Sequence, residues 1–226
     1  MRIFLFFFLL ISSAFFAQNT KPAKRDPYLQ SPVKNQPLKS SPENRIHIIN
    51  ADEIKKDTKY DGNRYFVGNV QIEHQGSILY ADEIVVYDAE NFVRAIGNTK
   101  LQNSDGSVIT ASEMEYDGNS QKGVARKNVV LTDPKGTVIK TQTMYYDRMA
   151  NQAYFNTGGT IFDGKSTTYT KSATYYLTTR VVDLSGDVKI VDNDYTLEGR
   201  NVVQNQNTNI VDINGYTVIT LSLIHI

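Results

Sequence analysis

From Ile46 onward, apolar and polar residues alternate in short runs, and the runs recur. In Ala125-Arg126-Lys127-Asn128-Val129-Val130-Leu131, the apolar residues Ala125, Val129 and Leu131 share the odd positions. The corresponding sets are Phe66, Val70 and Ile72; Ala95, Thr99 and Leu101; Thr160 and Phe162; Leu184, Val188 and Ile190; and Ile213, Thr217 and Ile219. Intervening positions are often polar, as at Asn69, Gln71, Asn98, Lys100, Asp187 and Lys189. A side-chain period of two predicts strands with one buried face. No helical pattern of convincing length interrupts it, and the class expected is all-β.

The alternation sits inside a longer repeat. Ala51-Asp52-Glu53-Ile54 returns as Ala81-Asp82-Glu83-Ile84 and, more loosely, at 111, 141 and 171, steps of 30 residues. A second marker accompanies it: Gly68-Asn69-Val70, Gly97-Asn98-Thr99, Asn128-Val129, Gly158-Gly159-Thr160, Gly186-Asp187-Val188 and Gly215-Tyr216-Thr217. Two markers drifting together define a repeat protein. Each unit reads as two strands. The first ends in Tyr-Asp, as at Tyr116-Asp117 and Tyr146-Asp147, and a turn such as Asp117-Gly118-Asn119-Ser120 leads to the second. A two-strand unit cannot cover its own apolar face, so neighbours must share it in a stacked, solenoid-like roll. Ile54, Ile84, Met114 and Met144 occupy one repeat position and are expected to line one wall.

The N-terminal region differs. Met1-Arg2 precedes the apolar run Ile3 to Ile11, and small residues follow, which is the plan of a signal peptide cleaved after Ala17 or Ala14. The run is shorter than the roughly 20 residues of a spanning helix. Residues 18–45 carry a proline every five residues from Pro22 to Pro42 and read as an extended, solvated spacer. Repeats are expected over 46–220. The last residues, 221–226, read as a translated sequencing adapter, with the natural gene expected to continue.

Composition narrows the function. Lys plus Arg and Asp plus Glu both number 24, so the net charge is zero, against the basic surplus of a nucleic-acid binder. There is no Cys, which removes disulfides, thiolate metal sites and thiol nucleophiles. The histidines at 47, 74 and 225 are scattered, and neither a metal nor another cofactor is expected. Gly164-Lys165-Ser166 lacks the upstream glycine of a phosphate loop. The acid pairs Asp52-Glu53 and Asp82-Glu83 repeat in register, which fits solvated strand edges better than glycosidase carboxylates. An enzyme is not expected.

The combination of an export signal with repeats of Ala-Asp-Glu, Tyr-Asp and Gly-Asn-Val resembles the OstA-like (LptA-like) family of lipopolysaccharide transport. The best-matching stretches are Tyr80–Asp88 with Gly97–Leu101, and Thr110–Asp117 with Asn128–Leu131. The resemblance implies an open, twisted β-jellyroll in the periplasm that carries lipopolysaccharide acyl chains in an apolar groove. It also implies partnership with other OstA-like domains through edge strands, and head-to-tail association of copies. The residues expected to contact lipid are Ile54, Val70, Ile72, Ile84, Leu101, Met114, Val129, Leu131, Met144, Phe162, Val188 and Ile190. Two other readings stand beside the carrier: the periplasmic head of an outer-membrane translocon barrel, and a secreted structural or adhesive solenoid with a dry core.

Overall fold

The computed structural model describes residues 25–29, 44–56 and 62–222; the expected signal peptide, most of the spacer and residues 223–226 lie outside the described residues. The strands are β1 (His47–Asn50) and β2 (Glu53–Lys56), then the long β3 (Arg64–His74), β4 (Ser77–Tyr87), β5 (Phe92–Gln102), β6 (Val108–Asp117), β7 (Lys122–Thr132) and β8 (Val138–Asp147). They continue with β9 (Gln152–Phe155), β10 (Gly159–Phe162), β11 (Thr167–Thr170), β12 (Ser172–Tyr176), β13 (Val181–Val191), β14 (Tyr195–Asn205), β15 (Ile210–Asn214) and β16 (Val218–Leu221). Among the described residues these 16 strands form one sheet, and every pairing is antiparallel.

The sheet is folded along its length. Register breaks in mid-strand, between Val67 and Val70, Ile96 and Thr99, Arg126 and Val129, and Ser185 and Val188. At these breaks consecutive residues have positive φ: Gly68 and Asn69, Gly97 and Asn98, Lys127 and Asn128, Gly186 and Asp187. Glycine accepts that conformation without cost and asparagine at little cost, which explains the residue types of the second sequence marker. A bulge of this kind bends each strand, so its two halves lie in different walls. One wall holds β1, the ends of β3, β5, β7 and β13, the starts of β4, β6, β8 and β14, and β10, β11 and β16. The complementary halves, with β2, β9, β12 and β15, form the second wall. Short strands such as β9 and β10 are single long strands interrupted at the bend.

The two sequence markers meet at this corner. Asn69 Nδ2 donates to Asp52 Oδ2 at 2.9 Å, and Asn98 Nδ2 donates to Asp82 Oδ2 at 2.8 Å. A Cβ added to Gly97 would overlap the Asp82 carboxyl group. The repeated aspartates therefore close the bend of the neighbouring strand, a more specific task than solvating an edge. Gly164-Lys165-Ser166 forms a hairpin in which Asp163 Oδ1 accepts the amides of Lys165 and Ser166.

Inward-facing residues of both walls join in one apolar core that includes Phe66, Ile84, Leu131, Phe155, Leu184 and Val202. The solvated-spacer expectation for 18–45 does not hold at Arg25–Leu29. This segment lies on the outer face of the second wall, where Leu29 is buried with Phe92 and Val124. Its Tyr-Leu pair supplies apolar area that the surrounding Pro- and Lys-rich sequence lacks.

Candidate functional site: the apolar interior and its mouth

Antiparallel partners point to the same face, so the pairings show what the interior presents. On the first wall, one row runs Ile48, Ile72, Leu79, Leu101, Ile109, Leu131, Ile139, Ile161, Thr168, Ile190, Leu197 and Ile219. It crosses the whole sheet and is aliphatic except at Thr168. The second wall carries Ile54, Phe66, Ile84, Ala95, Met114, Ala125 and Met144 in a matching row. Val70, Val129 and Val188 point inward beside the corner.

Of the residues expected to line the interior, Val70, Ile72, Ile84, Met114, Val129, Leu131, Met144, Val188 and Ile190 are buried there, and Leu101 is partly buried against them. Two expectations are corrected. Phe162 faces outward and is 44% exposed, while its neighbour Ile161 is 1% exposed in the core. The cause is a one-residue slip, which exchanges the faces of a strand. Thr141 pairs with both Val129 and Gly159, so Gly159 stands where other units have Val or Thr. A side chain there would come within 2.8 Å of the Phe155 ring, which fills the space instead. Ile54 lies on the expected row but is 69% exposed, because β2 pairs with β3 alone among the described residues and is an edge strand there.

The interior is closed over most of its length. A cavity of about 30 Å³ remains between Ile72, Leu101, Ile109, Met114 and Tyr146, room for about one water. Opposite the corner, the hairpin turns of the two walls face one another, and polar side chains join them. Arg148 Nη2 donates to Gln75 O at 2.5 Å. Asp133 Oδ2 accepts from Tyr175 Oη at 2.5 Å and from Arg180 Nη1 at 2.6 Å. Arg180 Nη2 donates to Thr137 Oγ1, which in turn donates to Gln206 Oε1 at 2.9 Å. Further along, Gln204 Nε2 donates to Asp163 Oδ2 at 3.0 Å. Each of these contacts crosses from one wall to the other.

Electrostatics favour this closed state at neutral pH. Burial pushes the Asp133 carboxyl up, but the Tyr175 hydroxyl, the Thr137 amide and the Arg180 guanidinium together hold it below its ordinary value. Burial raises Tyr116, Tyr146 and Tyr175, which stay neutral hydroxyl donors. His74 is held low, chiefly by burial, with Arg148 adding to the effect against the Asn44 carbonyl. Its Nε2 faces that carbonyl at 3.3 Å and must donate; Nδ1 then accepts from the Tyr116 hydroxyl at 2.8 Å. That is the neutral tautomer with the proton on Nε2.

The mouth cluster went unnoticed in the sequence, yet a signal for it exists. Asn103, Asp133 and Asp163 recur every 30 residues, each followed three or four positions later by Ser107, Thr137 or Ser166. Among the described residues, no group of three or more His, Cys, Asp or Glu is placed to hold a metal ion, and no helix is long and apolar enough to cross a membrane.

A folded antiparallel sheet with an aliphatic interior running from edge to edge defines a two-walled β-jellyroll. Its chemistry is apolar contact along a line, with polar groups concentrated at the corner and the mouth and Thr168 the exception within the row. The chain belongs to the OstA-like family: the sequence profile described as OstA-like protein matches residues 43–200. Among solved structures it is similar to LptH of Pseudomonas aeruginosa, the LptA-homologous periplasmic component of the lipopolysaccharide transport device. Identity is 18%, over 55% of this chain and 99% of that one, with a TM-score of 0.46. No curated protein matches the chain.

Proposed function

We propose that this chain is an exported, periplasmic carrier or bridge that holds lipopolysaccharide acyl chains between its walls on their way to the outer membrane. The observation that carries the reading is the inward row from Ile48 to Ile219, aliphatic at every strand but one. An alkyl chain laid along it meets equivalent contacts throughout, which suits movement better than a single deep pocket does. Each buried methylene contributes about 0.8 kcal/mol, so one acyl chain supplies about 10 kcal/mol before ordering costs. Among the described residues, β1 with β2 and β15 with β16 are the edge strands of the sheet. They are the surfaces through which other OstA-like domains, or further copies, would extend the sheet.

The closed interior sets a condition on this reading: the walls must part at the mouth before a lipid tail can enter. The same closure favours a second reading, a structural solenoid whose core stays dry. Photocrosslinking in intact cells separates the two. A photoreactive residue is placed in turn at Leu101, Met114 and Leu131, with Lys100 and Lys127 as outward controls. Lipopolysaccharide adducts at the inward set alone are expected of a carrier. Their absence from a folded, exported protein would leave the dry solenoid.

A further inference from the structure

By register, Phe92 and Val124 point away from the core, since Val93 and Ala125 beside them point into it. Both are nevertheless 1% exposed, because the segment Arg25–Leu29 covers them. The fit is specific along the segment. Arg25 pairs with Glu90 and Asp117, and its guanidinium lies 4.2 Å from the centre of the Phe92 ring. Asp26 Oδ2 accepts from Arg126 Nη2 at 2.5 Å, and Pro27–Leu29 form a single 3₁₀ turn. Tyr28 packs on Tyr145 with ring centres 5.0 Å apart, with Lys122 Nζ 5.0 Å from its ring, and Leu29 fills the gap at 1% exposure.

We infer that the outer face of the second wall around Phe92, Val124 and Tyr145 is a peptide-docking site, and that its occupant is the chain's own Arg25–Leu29 segment, bound as a separable ligand. The ligand class is a short segment with a basic, an acidic, a proline, an aromatic and an aliphatic residue in that order. Charge complementarity fixes its direction: Arg25 sits at Glu90 and Asp117, Asp26 at Arg126, and reversal would set like charges together. Residues 30–43 tether the segment to Asn44, which Asn91 holds through an Nδ2–H···O bond of 2.8 Å. Docking within one chain is intramolecular, for which effective concentrations are on the order of 1 mM, so a segment whose intrinsic half-saturation lies well below that stays docked. This inference does not depend on the lipid reading, because the site lies on the opposite face of the wall from the interior.

The test uses the full chain carrying Tyr28→Ser and Leu29→Asp, which vacates the site, and a fluorescein-labelled peptide with the sequence of residues 24–30. The peptide should bind this variant with half-saturation below about 0.1 mM, which against an effective concentration on the order of 1 mM makes it at least tenfold tighter than binding to the unsubstituted chain. The same peptide with Leu29→Asp should not bind. Equal binding to both chains, or binding to neither while the variant keeps its circular dichroism, overturns the inference. Should the variant fail to fold, hydrogen exchange on the unsubstituted chain decides. The Leu29 amide, bonded to Asp26 O at 3.0 Å, must then be protected, and exchange at the unfolded rate overturns the inference.

Discussion

The side chain on which closure of the mouth turns is Asp133. It accepts two side-chain donors from the opposite wall while its other oxygen holds the amides of Lys135 and Thr137 at 2.9 and 2.8 Å. Arg180 answers its charge, with side-chain exposures of 11% and 4% for the two partners. Removing one partner of such a pair leaves a charge stranded, which costs more than the pair contributes when intact. Arg180→Ala is therefore expected to destabilise the protein by about 3 kcal/mol, which lowers the melting temperature by about 6–12 °C for a chain of this size. Arg180→Lys should fall between the two, since an ammonium keeps the charge but cannot serve Asp133 and Thr137 with the same fork. The pH dependence has a definite sign. Asp133 titrates lower when folded than when unfolded, so its contribution is present above the ordinary carboxylate value near 3.8 and is lost as pH falls through the folded value. Thermal melts of the wild type and both variants between about pH 3 and pH 7 would check this; a slope that Arg180→Ala leaves unchanged would remove Asp133 from the account.

At the scale of strands, much was readable because the walls are built from repeated rows. The inward position of Val70, Ile72, Leu101, Val129, Leu131, Val188 and Ile190 follows from alternation alone, and the bend follows from Gly-Asn pairs that tolerate positive φ. The failure at Phe162 has a physical cause. Gly158 and Gly159 both fit the second marker, and they are distinguished by the Lys140 carbonyl and the Phe155 ring, which leave Gly159 no room for a side chain. The exposure of Ile54 escapes alternation, which tells which face a residue takes and not whether a neighbouring strand covers it. At the mouth, the 30-residue spacing of Asn103, Asp133 and Asp163 marks one side, but the partners across it were illegible: Asp133 and Arg180 lie 47 residues apart and meet only once both walls exist. The corrected register makes a paired prediction. Ile161→Asp buries a carboxylate in the core and is expected to unfold the protein or cost about 4 kcal/mol, whereas Phe162→Asp on the outer face should change stability by less than about 1 kcal/mol. Urea melts of the two variants decide it, and similar losses would restore the original register.

For the molecule as a whole, the corner and the mouth are unequal hinges. The corner is continuous backbone in every long strand, with its bends closed by Asp52 and Asp82. Among the described residues, the mouth is bridged by side-chain contacts such as Arg148 on Gln75 and Arg180 on Asp133. Any separation of the walls therefore begins at the mouth, where polar contacts can be exchanged for water without tearing a ladder of backbone hydrogen bonds. A cavity of about 30 Å³ admits no alkyl chain, so the proposed transport requires that separation. The absence of native cysteine allows a direct test. Gln75→Cys with Arg148→Cys, joined by a short bis-maleimide, should pin the mouth shut and reduce lipid crosslinking at Met114 at least tenfold. The same two substitutions left unjoined lose one cross-wall contact and should crosslink as well as the parent or better. Undiminished crosslinking in the pinned protein would mean that lipid enters from the strand edges, and the mouth would then be a structural seam and not a gate.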